Sequence, residues 1–329
     1  MVDWVRKPSS ASVRLLGRMS GKLLAGLLLV VVVTSLVFLA VNLLPGDAAT
    51  SVLGRGATPE RIAALQEKMH LDEPLLVRYA TWLGGAIHGD LGTALTSDQP
   101  VRDLLLPRLR NSLVLAFAAA LIIIPLGVLI GAVAGARTGS HRDRALSAGS
   151  LVALSFPEFV LAAGLILIVG VGLGWLPPVS LFNPDAGPLS DPRVLVLPVL
   201  TLVIANVGYV ARIVRASVAE AMSSEMVKMA RLNGYSETSV VLKFGLRNAL
   251  APSIQMSALV LLYLISGVVV VETVFRYQGI GQLAIEATTN RDFMILQSLV
   301  LLSTAIFVVV NLFTDFLLVA VNPKLRTSR

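Results

Sequence analysis

Runs of about twenty apolar residues recur along the 329-residue chain, at about 23–44, 113–136, 145–171, 194–214, 251–272 and 294–321. A hydrocarbon core of roughly 30 Å is crossed by a helix of about 20 residues, so each run is long enough to span a membrane. Lipid offers the backbone no hydrogen-bond partners, which leaves only helices and closed barrels as spanning structures. None of the runs alternates with period two, as barrel strands do. The expected fold class is an all-α polytopic membrane protein with six transmembrane helices. Composition agrees, with 55% hydrophobic and 14% charged residues, where soluble domains carry about a quarter charged.

Arg14, Arg18 and Lys22 ahead of the first run also describe a signal peptide, whose apolar region is usually about 7–15 residues. Leu23–Leu44 is 22 residues, which favours an uncleaved first transmembrane helix. Cationic residues set the orientation. Segments 1–22, 137–144, 212–250 and 322–329 hold 17 of the 27 Lys and Arg, and the short loops on the other side hold three. The expected topology is N-in and C-in. The net charge of +7 is then a topology signal, and no basic patch carries interleaved aromatics for nucleic acid.

The expected organisation is a cytoplasmic segment 1–22, the first helix 23–44, an extracytoplasmic subdomain 45–112, a five-helix core 113–321 and a cytoplasmic tail 322–329. Within 45–112, Thr58-Pro59-Glu60 has the pattern of a helix start. Gly84-Gly85 and Gly89-Asp90-Leu91-Gly92 suggest turns, and Tyr79, Trp82 and several leucines argue for a compact unit over a pore mouth. Gly127, Gly131 and Gly135 repeat every four residues, the spacing that lets two membrane helices approach closely.

Three polar groups fall inside or at the end of spans and are candidates for a translocation pathway: Glu158, Asn206 and Glu272. A carboxylate near mid-bilayer costs about 2.5–3.5 kcal/mol on insertion scales, so Glu158 should face protein or a water-filled cavity. A buried helix-to-helix hydrogen bond is the structural alternative. Pro157 is expected to free a carbonyl and kink the third crossing there. Asp315, near the inner end of the sixth crossing, can reach water and is expected to be structural.

The most informative polar stretch is Met229–Asn248, within a cytoplasmic loop 215–250. Gly234 after Leu232 and Asn233 suggests a helix end, and Ser236 a cap for the next helix. Val240, Val241, Phe244 and Leu246 make an apolar face, with Lys243 and Arg247 on a basic one. Such a loop either rests on lipid headgroups or is offered to a partner. Nothing supports catalysis in the chain itself. There is no Cys, the three histidines His70, His88 and His141 stand apart in loops, and nucleotide-binding and nucleophile motifs are absent.

In order and spacing, LLPGDAA (43–49), LDEPLLVRYATWLGGAIHGDLGTAL (71–95), FPEFVLA (156–162), GWLPP (174–178), YVARIVRASV (209–218), MARLNGYSETSVVLKFGLRNALAP (229–252), VVVETVFRYQGIGQL (269–283) and NRDF (290–293) resemble a known family. It is that of the permease subunits of ATP-binding-cassette importers, in the dipeptide, oligopeptide and nickel branch. The resemblance implies an ATPase-coupling loop carried by Ala230, Arg231, Gly234, Tyr235, Ser236, Leu246 and Arg247. Of the general importer signature there, Ala230, Gly234 and Leu246 keep their positions; Lys228, Met229, Phe244 and Arg247 depart from it. It also implies a homologous second permease, two ATPase subunits that hold ATP and Mg, an extracytoplasmic binding protein, and no cofactor on this chain. A self-contained ion-coupled carrier using Glu158 is the competing reading.

Overall fold

The computed structural model describes residues 9–42, 58–60, 63, 66, 73–184, 186–266 and 268–321. The LLPGDAA stretch (43–49) and the tail at 322–329 lie outside the described residues. At the Thr58 start, residues 59, 60, 63 and 66 are helical.

Among the described residues the helices are α1 (Ser9–Asn42), α2 (Leu75–Ile87), α3 (Val101–Ala136), α4 (His141–Ser155), α5 (Glu158–Leu165), α6 (Arg193–Met222), α7 (Glu225–Leu232), α8 (Glu237–Val240), α9 (Leu246–Ile265), α10 (Val269–Val274), α11 (Ile280–Thr289) and α12 (Phe293–Val321). Wider π-helical turns extend α5 over Ile166–Gly172 and join α8 to α9 over Val241–Gly245. Among the described residues five stretches are long and apolar enough to span a membrane, and α4 with α5 makes a sixth that is bent by 94°.

The break falls at Phe156-Pro157, where Pro157 becomes the residue capping α5. Proline disfavours helical geometry in the residue before it, and Phe156 is extended at φ −87°, ψ 129°. The third crossing is therefore two helices at a right angle, and Glu158 opens the second of them.

Helix α6 is the axis of the bundle: 72% of its apolar window is buried, against 11% for α1. It packs most extensively on α3. A Cβ on Gly127 would lie 2.6 Å from Val210 Cβ, on Gly131 2.5 Å from the Ala211 carbonyl oxygen, and on Gly135 2.6 Å from that of Arg215. The glycine stripe thus puts backbone against backbone, where dispersion and not hydrophobic exclusion holds membrane helices together. Leu115, Ala119 and Ile123 on α3, Leu202, Val210 and Val214 on α6, and Val260 and Leu264 on α9 close this core. Large apolar residues such as Leu121 and Leu129 remain exposed on the outer faces, as lipid contact requires.

Several boundaries move from the sequence expectation. Helix α3 starts at Val101 instead of 113 because Val101 and Leu105 are buried in a second apolar cluster with Ile280, Leu283, Ile295 and Leu299. Helix α6 runs on to Met222, so the loop expected from 215 begins at Ser223; Val218, Ala221 and Met222 continue the buried stripe between the charges. Gly84 and Gly85 lie inside α2, and the chain turns instead at Gly89 and Gly92, both with positive φ. Helix α2 meets α1 through Tyr79, which is hydrogen-bonded to Thr34 at 2.7 Å and has its ring 5.3 Å from Phe38. At the opposite end of α1, Lys22 pairs with Asp315 of α12 at 2.5 Å.

Candidate functional site

Two features stand out: a hairpin projecting from one end of the bundle, and a pocket beside the break in the third crossing. The hairpin is α7, a turn, and α8. Ser224 caps α7 by accepting from the Val227 N–H, and Ser236 caps α8 by accepting from the Ser239 N–H. Helix α7 ends on Gly234 at φ +79°, with the Tyr235 N–H donating to the Ala230 carbonyl at 3.2 Å and the Gly234 N–H to that of Arg231 at 3.0 Å. Those two bonds are the ones a glycine-terminated helix uses to satisfy its last carbonyls. Nothing lies within 4 Å of a Cβ placed on Gly234, so the backbone angle, not crowding, calls for glycine.

The arms of the hairpin are braced across this turn. Arg231 donates to Glu237 at 2.9 and 3.3 Å. Tyr235 meets Phe244 edge-on with ring centroids 6.0 Å apart, and Lys243 Nζ sits 5.3 Å from the Tyr235 ring. Val227, Ala230 and Val240 belong to the transmembrane core, and Leu246 packs on it. Gly245 faces Val218 of α6, where a Cβ would be 3.3 Å away. Arg247 is exposed. The hairpin is therefore one stiff piece keyed into α6 and α9. Its outer side leaves Met226, Met229, Leu232 and Tyr235 exposed, Leu232 at 81%.

Beside the same end, Asp143 is 3% exposed and accepts from Arg215 Nη2 at 2.8 Å, from the Gly139 N–H at 2.8 Å and from Ser147 at 3.2 Å. Arg215 grips both carboxylate oxygens, which ties α4 and the 137–140 turn to α6. Charge-assisted bidentate pairs of this kind fix orientation as well as distance.

The pocket, of about 680 Å³, is lined by the α4–α5 break and by residues of α6, α9 and α10. Glu158 Oε1 accepts from Asn206 Nδ2 at 3.3 Å, and Oε2 accepts from the Tyr263 hydroxyl at 2.8 Å. Asn206 is thirteen residues from the start of α6 and sixteen from its end, so this cluster sits near mid-span. Two of the three pathway candidates are thus brought together. Tyr263 joins them without a signal in the sequence, because a single tyrosine in an apolar run carries no distinguishing pattern.

Glu272 does not line this pocket. It is fully buried and accepts from Ser112 Oγ at 2.6 Å, from the Gly281 N–H at 2.8 Å and from the Gln282 N–H at 3.1 Å. It fastens α10 to the start of α11 and to α3. Asn111 Nδ2 donates to the Gln278 carbonyl at 2.8 Å, and the Tyr277 hydroxyl donates to the Asn111 carbonyl at 2.6 Å. Burial, and then the neighbouring Glu272 carboxylate, pushes the Tyr277 phenol well above its ordinary range, so it stays a neutral donor. Next to this clasp, Asp292 caps the start of α12 and accepts from the backbone and hydroxyl of Thr96, both at 3.0 Å.

The described residues form a helical bundle of membrane-spanning length, with a braced polar hairpin at one end and a polar pocket near the middle of α6. The chain belongs to the family described as the inner membrane component of binding-protein-dependent transport systems: it matches that family over residues 123–327 and the family's N-terminal region over residues 14–116. It is therefore a multi-pass inner-membrane protein. It is 34% identical over 295 residues, 90% of this chain and 94% of the relative, to a Brucella abortus chain named for a peptide transport system permease. To the glutathione transport system permease protein GsiC of Salmonella typhi it is 36% identical over the same shares. An inward-facing structure of the MetNI methionine ABC transporter matches the fold with a TM-score of 0.54 at 18% identity, over 67% of this chain and 96% of that one.

Proposed function

We propose that this chain is the pore-forming subunit of an ATP-driven importer of peptides or glutathione-like solutes. The hairpin at 223–245 would be its drive point, on the cytoplasmic side. The observation that carries the reading is the exposed apolar side of α7. Met226, Met229, Leu232 and Tyr235 stand clear of the core on a hairpin held rigid by Arg231–Glu237 and Tyr235–Phe244. An exposed apolar patch rimmed by charge marks a contact surface for protein or membrane, and membership of the family favours an ATPase subunit as its occupant.

Rigidity gives that docking mechanical use. Movement of α7 passes through Val240 and Gly245 to Val218 on α6, and packed interfaces shift between discrete arrangements instead of deforming smoothly. Two ATPase subunits and a homologous second permease would complete the assembly. ATP and Mg reside on the ATPases, and an extracytoplasmic binding protein delivers the solute to the 45–112 and 273–293 side. The N-terminus and C-terminus both lie inside in this arrangement. Glu158, Asn206 and Tyr263 form part of the route, whereas Glu272 holds the outer wall together.

The test is purification of the tagged chain from membranes, identification of the proteins that come with it, and assay of ATP hydrolysis with candidate solutes. Recovery of ATPase and second permease, with hydrolysis stimulated by a loaded binding protein, is expected. Vectorial uptake by the isolated chain without a nucleotide-hydrolysing partner would contradict the proposal.

A further inference from the structure

The pocket at the α4–α5 break combines one carboxylate with an aromatic rim and no cation. Its lining includes Glu158 but neither Lys, Arg nor His. Asn206 and Tyr263, which donate to the two carboxylate oxygens, are neutral, so they orient the charge without compensating it. Each oxygen keeps acceptor capacity, because an ionised carboxylate offers about four lone-pair sites. Around it Phe156, Phe159, Tyr209 and Tyr263 are between 46% and 56% exposed, and their ring faces attract cations. An uncompensated carboxylate near mid-span is costly and marks a substrate or ion pathway by default.

We propose that Glu158 is the transient counter-ion of the free α-ammonium group of the transported solute, with the aromatic rings of the pocket as its flanking walls. This rests on the importer reading above and adds to it the chemical class of group that the pore itself reads. An ammonium donates hydrogen bonds to one carboxylate and tolerates aromatic neighbours. A divalent metal ion or its hydrated complex prefers several oxygen or imidazole ligands, and no such cluster of acidic, His or Cys residues occurs among the described residues. The pocket therefore favours peptide-like amines over metal chelates.

The test uses the complete transporter with its binding protein in proteoliposomes, comparing wild type with Glu158→Gln. The probes are dialanine, trialanine and glutathione, each alongside its N-acetylated form. Because the binding protein is the same in both preparations, its own preference cancels from the ratio of variant to wild-type uptake for each probe. Removing one charge-assisted hydrogen bond from the route is expected to lower uptake of the free amine about tenfold. Uptake of the N-acetylated form is expected to fall much less, so that the ratio of free-amine to N-acetyl uptake drops several-fold relative to wild type. Glu158→Asp, which keeps the charge, should retain the preference for the free amine even if its overall rate falls.

An equal loss for both forms in Glu158→Gln, with the complex still assembled, would overturn the inference and leave Glu158 as a packing group. No loss for either form would overturn it as well. Wild-type complex that moves none of the probes under ATP would refute the importer reading for these solutes and this inference with it, an outcome distinct from the first two.

Discussion

Ser112 Oγ donates a 2.6 Å hydrogen bond to Glu272 Oε1 across 160 residues of chain. The same Oγ accepts from the Ile280 N–H at 2.9 Å, and the other Glu272 oxygen takes the N–H groups of Gly281 and Gln282. One carboxylate thus satisfies three donors at a junction of α3, α10 and α11. Gly279 leaves room for it, since a Cβ there would collide with the carboxyl group.

Glu272→Ala is expected to lower the stability of the purified protein by at least about 3 kcal/mol, because buried donors without acceptors cost roughly 1–3 kcal/mol each. Glu272→Gln, which keeps one acceptor oxygen, should fall between. Thermal unfolding in one detergent checks the order wild type, Gln, Ala.

Gly131→Ala forces α3 away from α6, because the new methyl meets the Ala211 carbonyl oxygen at 2.5 Å. Overpacking of this kind costs typically about 1–3 kcal/mol. Gly164→Ala is the control: it is in helix α5 with nothing within 4 Å, and should be neutral or slightly stabilising. Proteolysis or thermal unfolding of the two variants separates a packing role from a general intolerance of alanine.

Arg215→Lys should behave like a loss and not like a conservative change, since an ammonium cannot hold both oxygens of Asp143 at once. A double-mutant cycle of Asp143→Ala with Arg215→Ala is expected to show about 1–2 kcal/mol of coupling. The value is kept modest because the Arg215 side chain is 36% exposed.

Gly234→Pro removes both the positive φ at the turn and the N–H that bonds to Arg231. Arg231→Glu sets a second acid beside Glu237, its present partner. Both should leave membrane insertion intact and let ATP hydrolysis proceed in the assembled complex while solute uptake is lost. Parallel assays of hydrolysis and uptake in proteoliposomes make the comparison.

The parts of this architecture written in local sequence were legible. Ser236 and Gly234 announce a cap and a turn within a few residues, and the glycine stripe at 127–135 shows its spacing directly. Long-range pairings were not. Glu272 reads as an acid near a span end, and only folding brings Ser112 and Gly281 to it. Tyr263 is silent in sequence until Glu158 accepts its hydroxyl. Pro157 promised a kink, but nothing local to it announced a bend as sharp as 94° or that α5 would then lie against α6 and α10. The extension of α6 to Met222 was hidden by charges at Arg212, Arg215 and Glu220 that interrupt the hydropathy without interrupting the helix.

The central claim, that α7 is where the chain is driven, is tested most directly by a cross-link. The natural sequence has no cysteine, so Leu232→Cys places a single thiol in the chain at the most exposed of the large apolar residues on the hairpin. In inside-out vesicles a short bifunctional thiol reagent should join it to a cysteine-bearing ATPase subunit, and a membrane-impermeant maleimide added outside intact cells should not reach it. Labelling of Leu232→Cys from the outer face, with no ATPase cross-link from within, would contradict the account.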